Sequence, residues 1–268
     1  MKDLFDYHMH SAFSADCNIP MEEMIEAAIQ KGLTEICFTD HIDYEYPDDT
    51  IVFDFDQKEY DAKIKNMQQQ FADRIRIKKG VEIGVQPHLL DQYETLMEKG
   101  QFDFVICSIH TADRKEMHFG EFFKGRSIEE AYALYYEELF ACVKKYKQYS
   151  VLGHIDLVKR YRKQDFEYLF HEELREIFKV IIADGKGIEL NTSGVRYNMP
   201  SGMPSDDILK LYKECGGEIL TLGSDAHKPQ DIAFQFQESL ELFQSIGFKY
   251  IATFDRMEPT FHAIDELL

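Results

Sequence analysis

Phe102-Asp103-Phe104-Val105-Ile106-Cys107-Ser108-Ile109-His110 is an apolar run that ends on polar residues and a histidine. The part Phe102–Ser108 is short and rich in Val, Ile and Phe, so it reads as a buried strand. An amphipathic helix pattern, Pro87–Lys99, stands before it and closes at Gly100. Another, Ser127–Tyr146, stands after it and opens on a serine. Strand followed by helix is the repeating unit of parallel α/β folds. Outward in both directions the unit recurs. Strands are expected at Leu4–His8, Glu35–Thr39, Ile75–Glu82, Ser150–Ile155, Gly187–Asn191 and Glu218–Gly223. Helices are expected at Pro20–Lys31, Gln57–Asp73, Asp165–Asp184, Pro204–Cys215 and Pro229–Ser245. No linker or low-complexity tract interrupts them. Seven such units favour a closed or nearly closed parallel barrel over two separate domains, so residues 1–268 are expected to form one domain. A further apolar run, Tyr250–Phe254, has no assigned place in the barrel.

The polar residues fall at the strand ends. His8 and His10 follow the first strand, Asp40 and His41 the second, and Glu82 ends the third. His110 follows the fourth, His154 ends the fifth, Asn191 the sixth, and Asp225 and His227 follow the seventh. In a parallel barrel those ends meet on one face, where barrel enzymes keep their active sites. Six of the ten histidines lie there, which a random scatter would not produce.

Asp6-Tyr7-His8-Met9-His10 puts two imidazoles at i and i+2, pointing to one side of an extended chain. Ser224-Asp225-Ala226-His227 repeats that spacing with mixed ligands. A single His-x-His is weak, and a single apolar-flanked histidine is more often a satisfied core residue than a ligand. Glu82 adds a carboxylate inside the apolar strand Gly80-Val81-Glu82-Ile83-Gly84, costly there unless it meets a cation. Together these residues point to a metal cluster. Nitrogen and carboxylate ligands without cysteine suit zinc, manganese or iron over magnesium or calcium. Clustered divalent ions activate water and clamp phosphoryl oxygens, so phosphate-ester hydrolysis is the natural reaction class. Amide hydrolysis on a two-metal barrel is the chemical competitor. It typically uses a carboxylated lysine, and no lysine ends a strand among these ligands.

With 30 basic and 49 acidic residues the formal charge is −19, a field that repels nucleic acid. Most of those acids are simply a solvated surface. An anionic substrate is repelled too, so a phosphatase of this charge needs local cations. No segment approaches a membrane span, and Met1–Asp6 carries no apolar signal stretch. The odd count of five cysteines reads as reduced thiols, and a cytoplasmic location is expected.

The segments His8-Met9-His10-Ser11-Ala12-Phe13-Ser14-Ala15-Asp16, Thr39-Asp40-His41, Gly80-Val81-Glu82, Ser108-Ile109-His110, Gly153-His154-Ile155-Asp156 and Gly223-Ser224-Asp225-Ala226-His227 resemble the motifs of the PHP (polymerase and histidinol phosphatase) superfamily, in order and across nearly the whole chain. The segment from Arg126-Ser127-Ile128-Glu129-Glu130 to Tyr135-Tyr136-Glu137 resembles its histidinol-phosphate phosphatase branch. The resemblance implies a distorted (β/α)₇ barrel holding three divalent ions. Carried onto this chain, one ion takes His8, His10, Glu82 and Asp225; a second shares Glu82 and takes His110 and His154. The third takes Asp16, His41 and His227. Some members have a histidine where Asp16 stands, which makes this third site harder and tilts it toward manganese or iron. Asp40 is expected to orient a ligand by hydrogen bond, with Asn191 a polar neighbour.

The same resemblance implies hydrolysis of L-histidinol phosphate, a small substrate, in histidine biosynthesis. A phosphotyrosine phosphatase and a nucleotide phosphoesterase are the enzyme rivals. A metal-binding domain of a replication assembly is the rival of another class, disfavoured by the acidity and by a chain that closes with the barrel. Arg160 and Arg196 follow the fifth and sixth strands and are candidate phosphate forks, although an exposed arginine is usually only solvated. His118, Phe119, Tyr161 and Tyr197 are candidates to line a pocket for the leaving group, while Asp225 is the candidate proton donor. His88, His171 and His262 are expected outside the site, on helices or the tail.

Overall fold

The apolar runs become seven parallel strands in the computed structural model, which describes residues 3–161 and 170–268. They are β1 (Phe5–Met9), β2 (Glu35–Phe38), β3 (Arg76–Gly84), β4 (Phe104–Ser108), β5 (Val151–Leu152), β6 (Gly187–Asn191) and β7 (Leu220–Gly223). Every residue of β1, β2, β4, β5, β6 and β7 is buried, because helices cover the outside and side chains fill the inside. Hydrogen-bonded neighbours follow chain order from β1 to β7. Representative pairs are Phe5 with Glu35, Ile36 with Ile77, Glu82 with Ile106 and Leu222 with Leu190. β1 and β7 lie side by side without a regular ladder, and hydrogen bonds join β1 to the residues that follow β7. There Asp225 N donates to His8 O at 2.7 Å and His10 N to Ala226 O at 3.0 Å, nearly closing the barrel.

Helices cross over between the strands: α1 (Met21–Gln30), α2 (Gln57–Gln70), α3 (Leu90–Gly100), α4 (Ile128–Lys145), α5 (His171–Ala183) and α6 (Asp206–Glu214), with α7 (Phe236–Ile246) after β7. Their starts follow local chemistry. Asp56 accepts from the backbone N–H groups of Lys58 and Glu59. Ser127 and Glu130 cap α4 reciprocally, each side chain accepting the other's backbone N–H.

Several elements depart from their sequence expectation. The helix expected over Pro229–Ser245 splits into a 3₁₀ turn, Pro229–Asp231, and α7. Left-handed backbone at Ala233 (φ 53°) and Gln235 (φ 54°) breaks it. The first residues of the helix expected from Asp165 lie outside the described residues, and α5 begins at His171. His88 precedes α3, where it pairs with Glu45 at 3.0 Å, and His262 lies on a strand. That strand belongs to an antiparallel hairpin, β8 (Tyr250–Asp255) and β9 (Glu258–Ala263), which stays outside the barrel sheet. It caps the N-terminal mouth: Met257 N donates to Asp103 O at 2.8 Å and Phe254 N to Tyr7 Oη at 2.9 Å. The opposite mouth is left for the site. All five cysteines are free, and among the described residues no helix is long and apolar enough to cross a membrane.

Candidate metal centre

Glu82 sits at the centre of the C-terminal mouth, completely buried. A short segment after β2, His41–Ile42, pairs in parallel with Glu82–Ile83 and so brings His41 beside it. One carboxylate oxygen of Glu82 lies 2.9 Å from His8 Nε2, 3.3 Å from His41 Nδ1 and 3.6 Å from His10 Nε2. The other lies 2.9 Å from His154 Nε2 and 3.1 Å from His110 Nε2, and accepts from Ser108 Oγ at 2.7 Å. Asp225 Oδ1 is 3.3 Å from His10 Nε2 and 3.7 Å from His8 Nε2. Asp16 lies 3.2 Å from His227 Nε2 and 3.7 Å from His41 Nε2. All nine residues named as ligands from the sequence therefore meet on one face.

Their grouping differs in part from the sequence expectation. Ligand atoms converge within 4.8 Å in the set His8–His10–Glu82, without the Asp225 expected beside them, and in the set Glu82–His110–His154, the residues expected around the second ion. The third convergent set is His10–His41–His227, and the more exposed Asp16 stands at its edge. A fourth, His41–Asp43–His110, contains a residue the sequence reading did not single out.

The rings are held so that their free nitrogens face inward. His8 Nδ1 meets Glu189 at 2.8 Å, His110 Nδ1 meets Asp43 at 2.7 Å, and His227 Nδ1 meets the Asp225 carbonyl at 3.1 Å. His10 Nδ1 meets Ser14 Oγ at 3.0 Å, and Ser14 in turn donates to Asp40 at 3.0 Å. Asp40 also accepts from Ser11 N and Oγ, so it orients His10 through Ser14. A carboxylate or carbonyl behind a histidine fixes its tautomer and leaves Nε2 to bind metal. Both unanticipated carboxylates had sequence signals. Asp43 follows His41 at the i+2 spacing of the two motif pairs, and Glu189 interrupts the apolar strand Gly187-Ile188-Glu189-Leu190-Asn191 as Glu82 does its own.

The electrostatics suit cations. Burial alone would raise the Glu82 carboxyl, but His8, His41 and His110 outweigh it and hold the group well below the usual carboxylate range. Burial is likewise outweighed at Asp225, by His8 first and then by the neighbouring imidazoles of His10 and His227. His10 is lowered to about 3 by burial and by the neighbouring His227 and His41, so it is a neutral donor. At His227, burial is overcome by Asp16 and Asp225, which lift it to about 9. His10 Nε2, His41 Nδ1 and His154 Nδ1 are buried without a hydrogen-bond partner. Buried imidazole nitrogens without partners, beside ionised carboxylates and without thiolates, fit hard or borderline divalent ions. Asp225, the expected proton donor and ligand, turns Oδ1 toward His8 and His10, while its Oδ2 accepts from Ser193 Oγ at 3.1 Å and Asn191 Nδ2 at 3.3 Å.

The cluster opens into a cavity of about 420 Å³. Arg160, Arg196, His118, Phe119, Tyr161 and Tyr197 all line it. The Arg160 guanidinium stacks 3.3 Å above the Tyr197 ring centre. Arg196 Nη2 donates to the Asp225 carbonyl at 2.9 Å, and its Nη1 is buried without a partner. His118 packs against Phe119 and Tyr161, with ring centres 4.6 and 5.8 Å away.

Close approach of strands makes room for these groups. A Cβ at Gly223 would stand 2.4 Å from His8 Cβ and 2.8 Å from the Glu189 carboxylate. Overpacking of this kind costs ~1–3 kcal/mol, so Gly223→Ala is expected to lower the thermal midpoint by several degrees at about 2–4 °C per kcal/mol. An unchanged melting curve would contradict that packing.

The model of the PHP domain family matches residues 6–193. The chain is 33% identical over 264 residues to the histidinol-phosphatase of Lactococcus lactis, covering 96% of each. It is 30% identical over 255 residues to the probable histidinol-phosphatase of Clostridium acetobutylicum, covering 92% of this chain and 95% of that one. A crystal structure of the L. lactis histidinol phosphate phosphatase, with zinc, L-histidinol and phosphate, superposes with a TM-score of 0.85 at 31% identity, over 96% of this chain and 98% of that one.

Proposed function

This chain belongs to the PHP domain family, and we propose that it hydrolyses L-histidinol phosphate to L-histidinol and phosphate as a step of histidine biosynthesis in the cytoplasm. The observation that carries the reading is the identity to the L. lactis histidinol-phosphatase, which runs the length of both chains. The barrel mouth supports it with a nitrogen- and carboxylate-rich centre beside a cavity lined by two arginines.

In this reading residues 1–268 work as one domain holding three divalent ions, of zinc, manganese or iron. His8, His10, Glu82 and Asp225 would hold one ion, Glu82, His110 and His154 a second, and Asp16, His41 and His227 the third. When bound, such ions supply an activated water and neutralise phosphoryl oxygens. The chain's own groups do the rest. Arg160 and Arg196 fork onto phosphate oxygens, answering the overall charge of −19 locally. Tyr197 beneath Arg160, and the Asp225 carbonyl and Asp231 beside Arg196, hold the two guanidinium groups in place. His118 and Tyr161 flank the leaving alcohol and its imidazole ring. Metal-loaded protein is expected to release phosphate from L-histidinol phosphate, to stop after chelator treatment, and to recover on adding back zinc or manganese. Turnover that survives complete metal removal would refute the reading.

A further inference from the structure

Strand β6 supplies no expected metal ligand, yet Glu189 at its middle is buried with 1% of its side chain exposed. Residues of two other elements and of its own strand bind it. Its Oε2 faces His8 Nδ1 at 2.8 Å, while Oε1 accepts from His154 N at 2.9 Å and from Asn191 Nδ2 at 3.2 Å. Gly223 and Gly153 flank it: a Cβ at either would come within 2.8 and 3.4 Å of its carboxylate oxygens. Among the described residues no lysine or arginine pairs with it, so this buried carboxylate is held by hydrogen bonds from around the barrel mouth. A buried carboxylate is costly, and an apolar residue would fill the strand at lower cost, so its placement calls for a role.

We propose that Glu189 is a positioning residue that fixes His8 with its proton on Nδ1 and so keeps Nε2 free for the ion shared with His10 and Glu82. The proposal rests on the reading of this cluster as a metal centre. The same carboxylate anchors the backbone of His154, an expected ligand of the neighbouring ion, so it sets the spacing of two ligands on opposite sides of Glu82. Glutamine cannot replace it. With its oxygen kept toward His154 N and Asn191 Nδ2, the amide NH₂ would face His8 Nδ1 and drive the proton to Nε2. With the amide turned over, an NH₂ would confront the His154 N–H. Either way one ligand is misplaced while the shape of the core is kept.

The test compares zinc-loaded parent and Glu189→Gln proteins by competition with a chelator. One zinc equivalent is expected to bind ~10–100-fold more weakly in the variant, with the remaining equivalents unchanged. kcat at limiting zinc should fall with it and largely return at excess zinc, and KM should change little. Zinc affinities within about twofold of the parent would overturn the proposal. Should the variant not fold, the ¹⁵N-histidine spectrum of the zinc-loaded parent decides. A His8 proton on Nδ1 supports the proposal, and one on Nε2 overturns it. A parent that binds no zinc would instead overturn the metal reading itself, and the proposal with it.

Discussion

Glu82→Ala is expected to lose metal and activity together. Both oxygens of this carboxylate are committed, one toward His8, His10 and His41 and the other toward His110 and His154. If it bridges two ions, its removal unlinks both. The five imidazoles around it would lose the carboxylate they share, leaving Asp225 to supply negative charge beside His8 and His10 and only imidazoles at the expected site of His110 and His154. Electrophilic stabilisation by such ions is worth several kcal/mol, so kcat/KM should fall on the order of 10³-fold or more. Elemental analysis should find most of the metal gone. Glu82→Gln keeps the volume while removing the charge, and should show the same loss. His88→Ala serves as the control, because His88 pairs with Glu45 outside the cluster, and it should keep both metal and most activity. Full metal content in Glu82→Ala would end the bridging assignment.

Replacing either arginine should impair turnover without removing metal. Loss of a charge-assisted contact costs ~2–3 kcal/mol, or roughly a 30- to 150-fold fall in kcat/KM. A contact equal in ground and transition states appears in KM; one that tightens as charge develops lowers kcat as well. Lysine should rescue only in part, since an ammonium cannot reproduce the planar fork or the stack of Arg160 on Tyr197. Arg196 also supports the Asp225 backbone, whose φ of 53° is unusual for a non-glycine residue, so Arg196→Ala should be the more damaging of the two. Parental kcat/KM in both alanine variants would return these residues to the solvated surface.

Much of this architecture was legible because two constraints coincide. Strands buried on both sides must be continuous apolar runs, and ligands at a barrel mouth must stand at their ends; Phe102–His110 and Gly80–Gly84 display both at once. Elements governed by tertiary contacts were not legible. The β8–β9 turn uses Arg256 and Met257 at φ 48° and 68°, left-handed positions that composition would assign to Asn or Gly, so β9 went unseen. The break before α7 depends on a distant hydrogen bond, in which Ala233 N donates to Asp6. Glu189 and Asp43 were missed for a different reason. Their partners, His8 and His110, are 181 and 67 residues away, and only the closed barrel brings them together.

The central claim is a substrate, and one comparison tests it most directly: kcat/KM for L-histidinol phosphate, phosphotyrosine and a nucleoside monophosphate on a single metal-replete preparation. A pocket that reads its leaving group by hydrogen bonds discriminates far more than tenfold. The account predicts that L-histidinol phosphate exceeds both alternatives by well over tenfold. Equal or reversed ratios would contradict it and leave a metal-dependent phosphoesterase of another specificity.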